Sequence, residues 1–162
     1  MILVTLGTHP KPMDRLTVAL DDILSSGDLR DEIIITGPNC GKQPSLARAV
    51  GIQPYDVLVE WARSSRAMIT HAGPASIALA LSVGHSPIVV PRDPALGEHV
   101  DDHQLRFAAW LAKRRDISVV LDMRQLGGAL QEALSRQRRA SPSVYVPNEA
   151  IARLRLILDE GR

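Results

Sequence analysis

Two strand-to-helix junctions follow each other between residues 69 and 104 of this 162-residue chain. One short apolar run ends in a His-Ala-Gly turn before a helical pattern, and a second ends at Pro91 before a polar loop and another helical pattern. Because strands that alternate with helices form parallel sheets, both junctions are expected at the same edge of one sheet. Open α/β sheets bind their ligands at that edge, so function is expected there.

The rest of the chain repeats this alternation, which predicts an α/β fold: a single Rossmann-like parallel sheet of about five strands with helices on both faces. The predicted strands cover residues 2–6, 33–36, 67–70, 87–90 and 117–121. The predicted helices follow an N-cap at Asp14 and cover residues 46–50, 55–64, 75–83, 101–114, 123–138 and 148–160. This domain is expected to span residues 1–140. Residues 141–162 form a C-terminal segment whose helix either docks a partner or packs against its own sheet.

Composition disfavours several classes of function. The formal net charge is only +1, so no basic excess indicates a nucleic-acid partner. The one cysteine, Cys40, cannot pair within the chain, and no apolar run approaches the roughly 18 residues of a membrane span. Neither the Gly-x-Gly-x-x-Gly fingerprint nor a Walker lysine is present, so nicotinamide, flavin and P-loop chemistry are disfavoured. We expect a cytoplasmic protein without a cofactor.

The turn at residues 71–76 has the features of an anion site. Pro74 suits the first position of a helix, and the backbone N–H groups of Ala75 and Ser76 then point outward with the helix dipole. The Ser76 hydroxyl and the His71 imidazole add side-chain donors, so phosphate oxygens are the natural ligand. The alternative to phosphate binding, of equal weight, is that Gly73 and Ser76 serve only the backbone geometry of the turn.

The loop at residues 91–104 is dense in short polar side chains, which suits a polyhydroxylated ligand. His99 and His103, together with the carboxylates of Asp101 and Asp102, are also candidate metal ligands. Because two histidines four residues apart lack a defined third ligand, we expect no metal. The two carboxylates can instead cap the helix that follows.

Several short motifs resemble the C-terminal, donor-binding half of GT-B glycosyltransferases, and family 28 in particular. They are VTLGT at residues 4–8 with MDRL at 13–16, THAG at 70–73 with Ser76, PIVVP at 87–91, and DHQ at 102–104. In order and spacing they are similar to the small subunit of the dolichol-linked UDP-N-acetylglucosaminyltransferase and its bacterial exopolysaccharide homologues. The resemblance covers nearly the whole chain and implies one half of a GT-B fold.

The resemblance assigns the site residues to parts of a nucleotide-sugar donor. It implies that the diphosphate contacts Gly7, Thr8, His71, Ala72, Gly73, Pro74, Ala75 and Ser76. It implies that the sugar and nucleoside contact Pro91, Arg92, Asp102, His103 and Gln104. The base of such enzymes is thought to come from the other domain, so no catalytic residue is assigned. His71 is expected to contact phosphate and not to transfer protons.

The implied activity is that of an inverting hexosyltransferase, which moves a sugar from a UDP-sugar, or from a dTDP-sugar, to a lipid-linked or polysaccharide acceptor. A GT-B active site lies between two Rossmann-like domains, and this sequence has residues for one. The resemblance therefore implies a membrane-associated, acceptor-binding subunit in trans. Such a partner would hold this cytoplasmic protein at the inner membrane face.

One position departs from the family pattern. Relatives place a carboxylate three residues after the motif serine, where it accepts hydrogen bonds from both ribose hydroxyls, and this chain has Leu79 there. Loss of that contact, worth about 1.5 to 3 kcal/mol, predicts weak selection for ribose. It also leaves open a non-catalytic or regulatory module that retained the fold. An epimerase of the same architecture is disfavoured, because such enzymes carry both halves in one chain.

Overall fold

The computed structural model describes residues 1–38, 41–114 and 117–136. Within these ranges six parallel strands form one sheet in the order β3-β2-β1-β4-β5-β6, which is the order of doubly wound nucleotide-binding sheets. The strands are β1 Ile2–Thr5, β2 Ile33–Thr36, β3 Arg48–Ala49, β4 Ala67–Thr70, β5 Ile88–Val89 and β6 Ser118–Val119. The predicted α/β class and parallel sheet are confirmed.

Helices cover both faces of the sheet, as predicted. They are α1 Asp14–Ser25, α2 Tyr55–Ser64, α3 Pro74–Ser82, α4 His103–Leu111 and α5 Leu126–Ser135. Successive residues of β1 point to opposite faces, so Ile2 packs in one core cluster with α1 and α5, while Leu3 packs in another with α2 and α3. A third cluster joins α3 and α4 over β5.

The helix predicted over residues 46–50 is wrong, because this segment contains the edge strand β3. Its backbone pairs with β2, and the Val50 N–H extends the ladder by donating to the Ile35 carbonyl at 3.0 Å. The Asp21 carboxylate accepts the N–H groups of residues 45–47 at 2.6 to 3.2 Å, which holds the approach to the strand away from helical geometry. Pairing with neighbouring elements therefore overrides local helix propensity.

Some helix starts differ from the predicted ones by one to three residues. Asp14 is the first residue of α1 and not its N-cap, and its carboxylate accepts the Lys42 N–H at 2.8 Å. A 3₁₀ turn at Met123–Gln125 precedes α5. Cys40 and the helix predicted over residues 148–160 lie outside the described residues. No helix within the described ranges combines the length and the apolar composition that a membrane crossing requires.

The carboxyl ends of three neighbouring strands meet at one edge. Thr5 at the end of β1 is in register with Thr36 of β2 on one side and with Thr70 of β4 on the other. The strand order changes direction between β1 and β4, which is the switch point at which such sheets bind ligands. The loops that follow these strands therefore carry the candidate site.

Candidate functional site

A cavity of about 270 Å³ lies at this switch point. It is lined by Thr5, Gly7, Thr8, Thr36, Ile52, Gln53, Leu58, His71, Gly73, Pro74, Ala75 and Ser76. The lining therefore contains all the residues predicted for the diphosphate except Ala72. That residue is only 1% exposed and packs in the core cluster between α3 and α4, so it supports the turn from beneath.

The N-terminus of α3 forms one wall of the cavity. Gly73 is its N-cap in an extended conformation, no side chain caps this end, and Pro74 occupies the first helical position. The backbone N–H groups of Ala75 and Ser76 belong to the first turn, where intrahelical acceptors are lacking. The wall therefore presents backbone donors, the positive end of the helix dipole and the Ser76 hydroxyl, a combination that binds anions.

His71 packs between two glycines that line the cavity. Its Nδ1 lies 3.2 Å from the Thr5 carbonyl, and a Cβ added to Gly7 would lie 2.5 Å from its Nε2. A Cβ on Gly73 would also collide with this ring, so a side chain at either position would displace the imidazole. Desolvation lowers the pKa of His71 to about 4. At neutral pH the ring is thus uncharged, with its proton on Nδ1 donated to Thr5 and a lone pair on Nε2.

One part of the cavity lining was missed by sequence reasoning. Ile52, Gln53 and Leu58 come from the segment after β3 and from α2, and Ile52 is 58% exposed beside the cavity. The Gln53 amide is fixed by a 2.5 Å hydrogen bond to the Val50 carbonyl. The missed signal is another strand-to-helix junction at the same edge, which was hidden because β3 was predicted as a helix.

The residues predicted for the sugar and nucleoside lie outside the cavity lining. Pro91 and Arg92 are buried, and Gln104 is 5% exposed with its Oε1 accepting the Arg92 N–H at 3.1 Å. Asp102 and His103 are exposed at the start of α4, where Asp102 pairs with Arg106 at 3.4 Å. Their assignment to the sugar stays a prediction.

Arg92 ties two loops together. Its guanidinium donates to the carbonyls of Leu6, His9 and Lys11 in the loop after β1, and to the carbonyl of Glu98 in the loop after β5, at 2.6 to 3.4 Å. With only 1% of its surface exposed, this side chain is placed to hold the backbone on either side of Gly7 and Thr8.

A second arginine, which sequence reasoning did not single out, ties the loop after β5 to α1. Arg15 of α1 binds both carboxylate oxygens of Glu98, at 2.9 and 3.1 Å, and donates to the Pro91 carbonyl at 2.6 Å. Glu98 is buried and also accepts the Asp93 N–H at 2.9 Å. Its partners identify it as a support of the loop, since a buried carboxylate is stable only when it is paired and hydrogen-bonded.

Leu79 does not face the cavity. It is 2% exposed and packs with Leu3, Met68 and Val83 in the core cluster beneath α2 and α3. A carboxylate at this position would be buried among apolar side chains in this structure. The departure from the family pattern therefore has a packing consequence as well as the predicted consequence for ribose.

The fold and the cavity define a class: an α/β domain with one doubly wound sheet and a helix N-terminus without a side-chain cap at its switch point. Residues 2–153 match the sequence profile of the glycosyltransferase family 28 C-terminal domain. This chain therefore belongs to glycosyltransferase family 28. No curated protein sequence matches it significantly.

Solved glycosyltransferases share the fold. The glycotransferase of kitacinnamycin superposes with a TM-score of 0.59 at 13% identity, over 99% of this chain and 40% of its own. The glycosyltransferase VinC, solved in complex with dTDP, superposes with a TM-score of 0.54 at 19% identity, over 99% of this chain and 37% of VinC. MurG of Acinetobacter baumannii superposes with a TM-score of 0.50 at 18% identity, over 96% of this chain and 49% of MurG. This chain thus spans less than half the length of these structures and has the fold of one half of a GT-B glycosyltransferase.

Proposed function

We propose that this chain supplies the donor-binding part of a nucleotide-sugar-dependent hexosyltransferase, with a UDP-sugar as the donor and a dTDP-sugar as the alternative. The observation that supports this proposal is the cavity at the β1/β4 switch point, where the N-terminus of α3 presents the Ala75 and Ser76 N–H groups. Family membership makes a nucleotide-sugar the natural ligand of that anion site. VinC, a structure of the same fold, was solved with dTDP.

In this proposal the diphosphate of the donor lies against the first turn of α3. The leaving nucleoside diphosphate gains negative charge during transfer, and fixed backbone donors with a helix dipole stabilise that charge without reorganisation. His71 packs between Gly7 and Gly73 beside this turn. Because its Nε2 carries a lone pair at neutral pH, His71 donates to a phosphate oxygen only after it takes up a proton, which the diphosphate itself favours.

The donor sugar is assigned to the polar loop after β5, with Asp102, His103 and Gln104 as its predicted contacts. The buried amide of Gln104 and the buried Arg92 set the backbone of this loop. The exposed side chains of Asp102 and His103 then remain available to sugar hydroxyls.

The acceptor site is proposed to come from a second Rossmann-like half. This chain spans 40% of the kitacinnamycin enzyme and 49% of MurG, so it corresponds to less than half of each of these enzymes. A cavity of about 270 Å³ is also small for a whole nucleotide-sugar, as expected for a cleft completed by another domain. We propose that a membrane-associated partner supplies the second half and binds a lipid-linked or polysaccharide acceptor. We further propose that the transfer inverts the configuration of the sugar.

Calorimetric titration with UDP, dTDP and UDP-sugars tests donor binding. We expect saturable binding that Ser76→Ala weakens about tenfold to a hundredfold, because a hydrogen bond to a charged group is lost. Ser82→Ala is the matched control at the other end of α3, where the hydroxyl donates to the Leu79 carbonyl at 2.7 Å. Absence of binding for every nucleotide, or equal affinity of Ser76→Ala and the parent protein, would overturn the proposal.

A non-catalytic nucleotide-sugar-binding module is the second candidate, and the burial of Leu79 in place of a ribose-binding carboxylate favours it. Both candidates predict nucleotide binding, so turnover separates them. Radiolabelled UDP-sugars are incubated with membranes from cells that express this chain together with its genomic neighbours. Transfer of label to lipid or polysaccharide supports the enzyme, whereas binding without transfer supports the module.

A further inference from the structure

Three side chains at the start of α4 converge on one point. One potential ligand atom from each of His99, Asp101 and His103 lies within 4.8 Å of the others. Asp101 Oδ1 is central to the group, 3.4 Å from His99 Nδ1 and in short contact with His103 Nδ1. The sequence alone left the two histidines without a defined third ligand, and the structure places Asp101 in that position.

The hydrogen bonds of the cluster join the same atoms that a cation would bind. The Asp101 N–H donates to His99 Nδ1 at 3.4 Å, and this nitrogen also lies 3.4 Å from Asp101 Oδ1. Asp101 Oδ1 accepts the His103 N–H at 3.1 Å and is hydrogen-bonded to His103 Nδ1. A divalent cation at this point binds the same nitrogen and oxygen atoms and displaces the proton that His103 shares with Asp101.

Neighbouring contacts hold these groups in place. Lys11 Nζ donates to the His99 carbonyl at 2.9 Å, and the His9 ring stacks on the His99 ring with centroids 4.4 Å apart. The N–H of His103, the first residue of α4, donates to Asp101 Oδ1 at 3.1 Å. The backbone and the His9 ring thus orient the cluster before any ion binds, which is the support that metal ligands require.

We propose that His99, Asp101 and His103 bind a late first-row divalent cation such as Zn²⁺. Two imidazoles and one carboxylate form a donor set that these cations accept, whereas Mg²⁺ and Ca²⁺ select oxygen ligands. Three protein ligands leave a fourth position of a tetrahedral ion for water or for an oxygen of a bound molecule. The site shares His103 with the proposed sugar contacts but shares no residue with the diphosphate contacts at α3, so UDP binding tests the donor proposal separately.

Calorimetry of the chelator-treated chain with ZnCl₂ tests this site. We expect one Zn²⁺ per chain, and His103→Ala should weaken its binding at least about tenfold. Because His103 is exposed, this variant should keep the parent melting temperature. The matched control is Asp102→Asn, which removes the adjacent carboxylate that pairs with Arg106 and should leave Zn²⁺ affinity unchanged.

A second readout uses Co²⁺, whose visible absorption reports its ligands. The parent chain and Asp102→Asn should develop the intense visible bands of a Co²⁺ ion with few ligands, and His103→Ala should lose them. The site is refuted by the absence of saturable Zn²⁺ binding. It is equally refuted when His103→Ala binds Zn²⁺ as tightly as the parent chain, since the ion then lies elsewhere. Neither outcome affects nucleotide binding at α3.

Discussion

The guanidinium of Arg92 donates a 2.9 Å hydrogen bond to the carbonyl of Leu6, the residue directly before Gly7 of the cavity wall. Arg92 lies in the loop after β5 and Leu6 in the loop after β1, so this bond joins two loops that are distant in sequence. The position of Gly7 beside His71 therefore depends on a buried cation that does not itself line the cavity.

Arg92→Lys should lower both stability and nucleotide affinity. Lysine keeps the charge but replaces the planar fork with one ammonium group, so several buried carbonyls lose their donor. We expect the free energy of unfolding in urea to fall by about 2 kcal/mol or more. Arg124→Lys is the control, because the Arg124 side chain is 90% exposed, and it should change stability little. Equal stability of both variants would contradict the role assigned to Arg92.

Gly7→Ala and Gly27→Ala form a matched pair. Both glycines have positive φ, 72° and 78°, so alanine is strained at either position by about 1 to 2 kcal/mol. Only at Gly7 does the new Cβ meet another group, the His71 ring at 2.5 Å, whereas nothing lies within 4 Å at Gly27. Gly7→Ala should therefore be the less stable variant in urea and should also lose nucleotide affinity. If the two variants behave alike, His71 does not pack against Gly7.

The buried imidazole of His71 predicts a pH dependence of stability. Burial lowers its pKa from 6.5 to about 4, so the unfolded chain binds the proton more tightly than the folded chain. The contribution of neutral His71 to the free energy of unfolding is therefore complete above pH 6.5. It is lost as pH falls toward 4, which lowers the free energy of unfolding by up to about 3 kcal/mol. His71→Asn keeps an N–H for the Thr5 carbonyl without titrating. The urea midpoint of this variant should fall less than that of the parent protein between pH 6.5 and 4. If the urea midpoints of the two proteins fall in parallel with pH, the lowered pKa of His71 is contradicted.

Leu79→Glu separates the packing role of this position from ribose recognition. A carboxylate in the apolar cluster around Leu3 and Met68 is disfavoured, and we expect a loss of about 2 to 4 kcal/mol at neutral pH. Leu79→Met should cost less than about 1.5 kcal/mol in the same urea titration. If Leu79→Glu is as stable as Leu79→Met and binds UDP more tightly than dTDP, the side chain reaches the ribose and not the core.

The sequence predicts the alternation of elements well because the strands near the centre of the sheet are short apolar runs. Residues 33–36 and 67–70 are strands with the predicted bounds, and the helix at 55–64 is also confirmed. The edge strand β3 is different, because Arg48 and Ala49 are exposed and become a strand only through pairing with β2. No local pattern carries that information.

The candidate site also has a part that is predictable from local sequence and a part that depends on contacts between distant residues. The turn at residues 71–76 is a local motif, so its place at the cavity is predictable from sequence. The bidentate pair of Arg15 with Glu98 joins residues 83 positions apart, and Arg92 reaches Leu6 across 86 positions. Such pairings follow from the folded arrangement of the loops. Sequence reasoning therefore assigned Arg92 to the ligand, whereas the structure surrounds it with backbone carbonyls.

A crystal structure of this chain grown with saturating UDP tests the central claim most directly. We predict pyrophosphate oxygens about 3 Å from the backbone N–H groups of Ala75 and Ser76 at the N-terminus of α3, with Gly7 and His71 alongside. A nucleotide bound at the opposite edge of the sheet, or an empty α3 terminus at a concentration that saturates binding in solution, would contradict it.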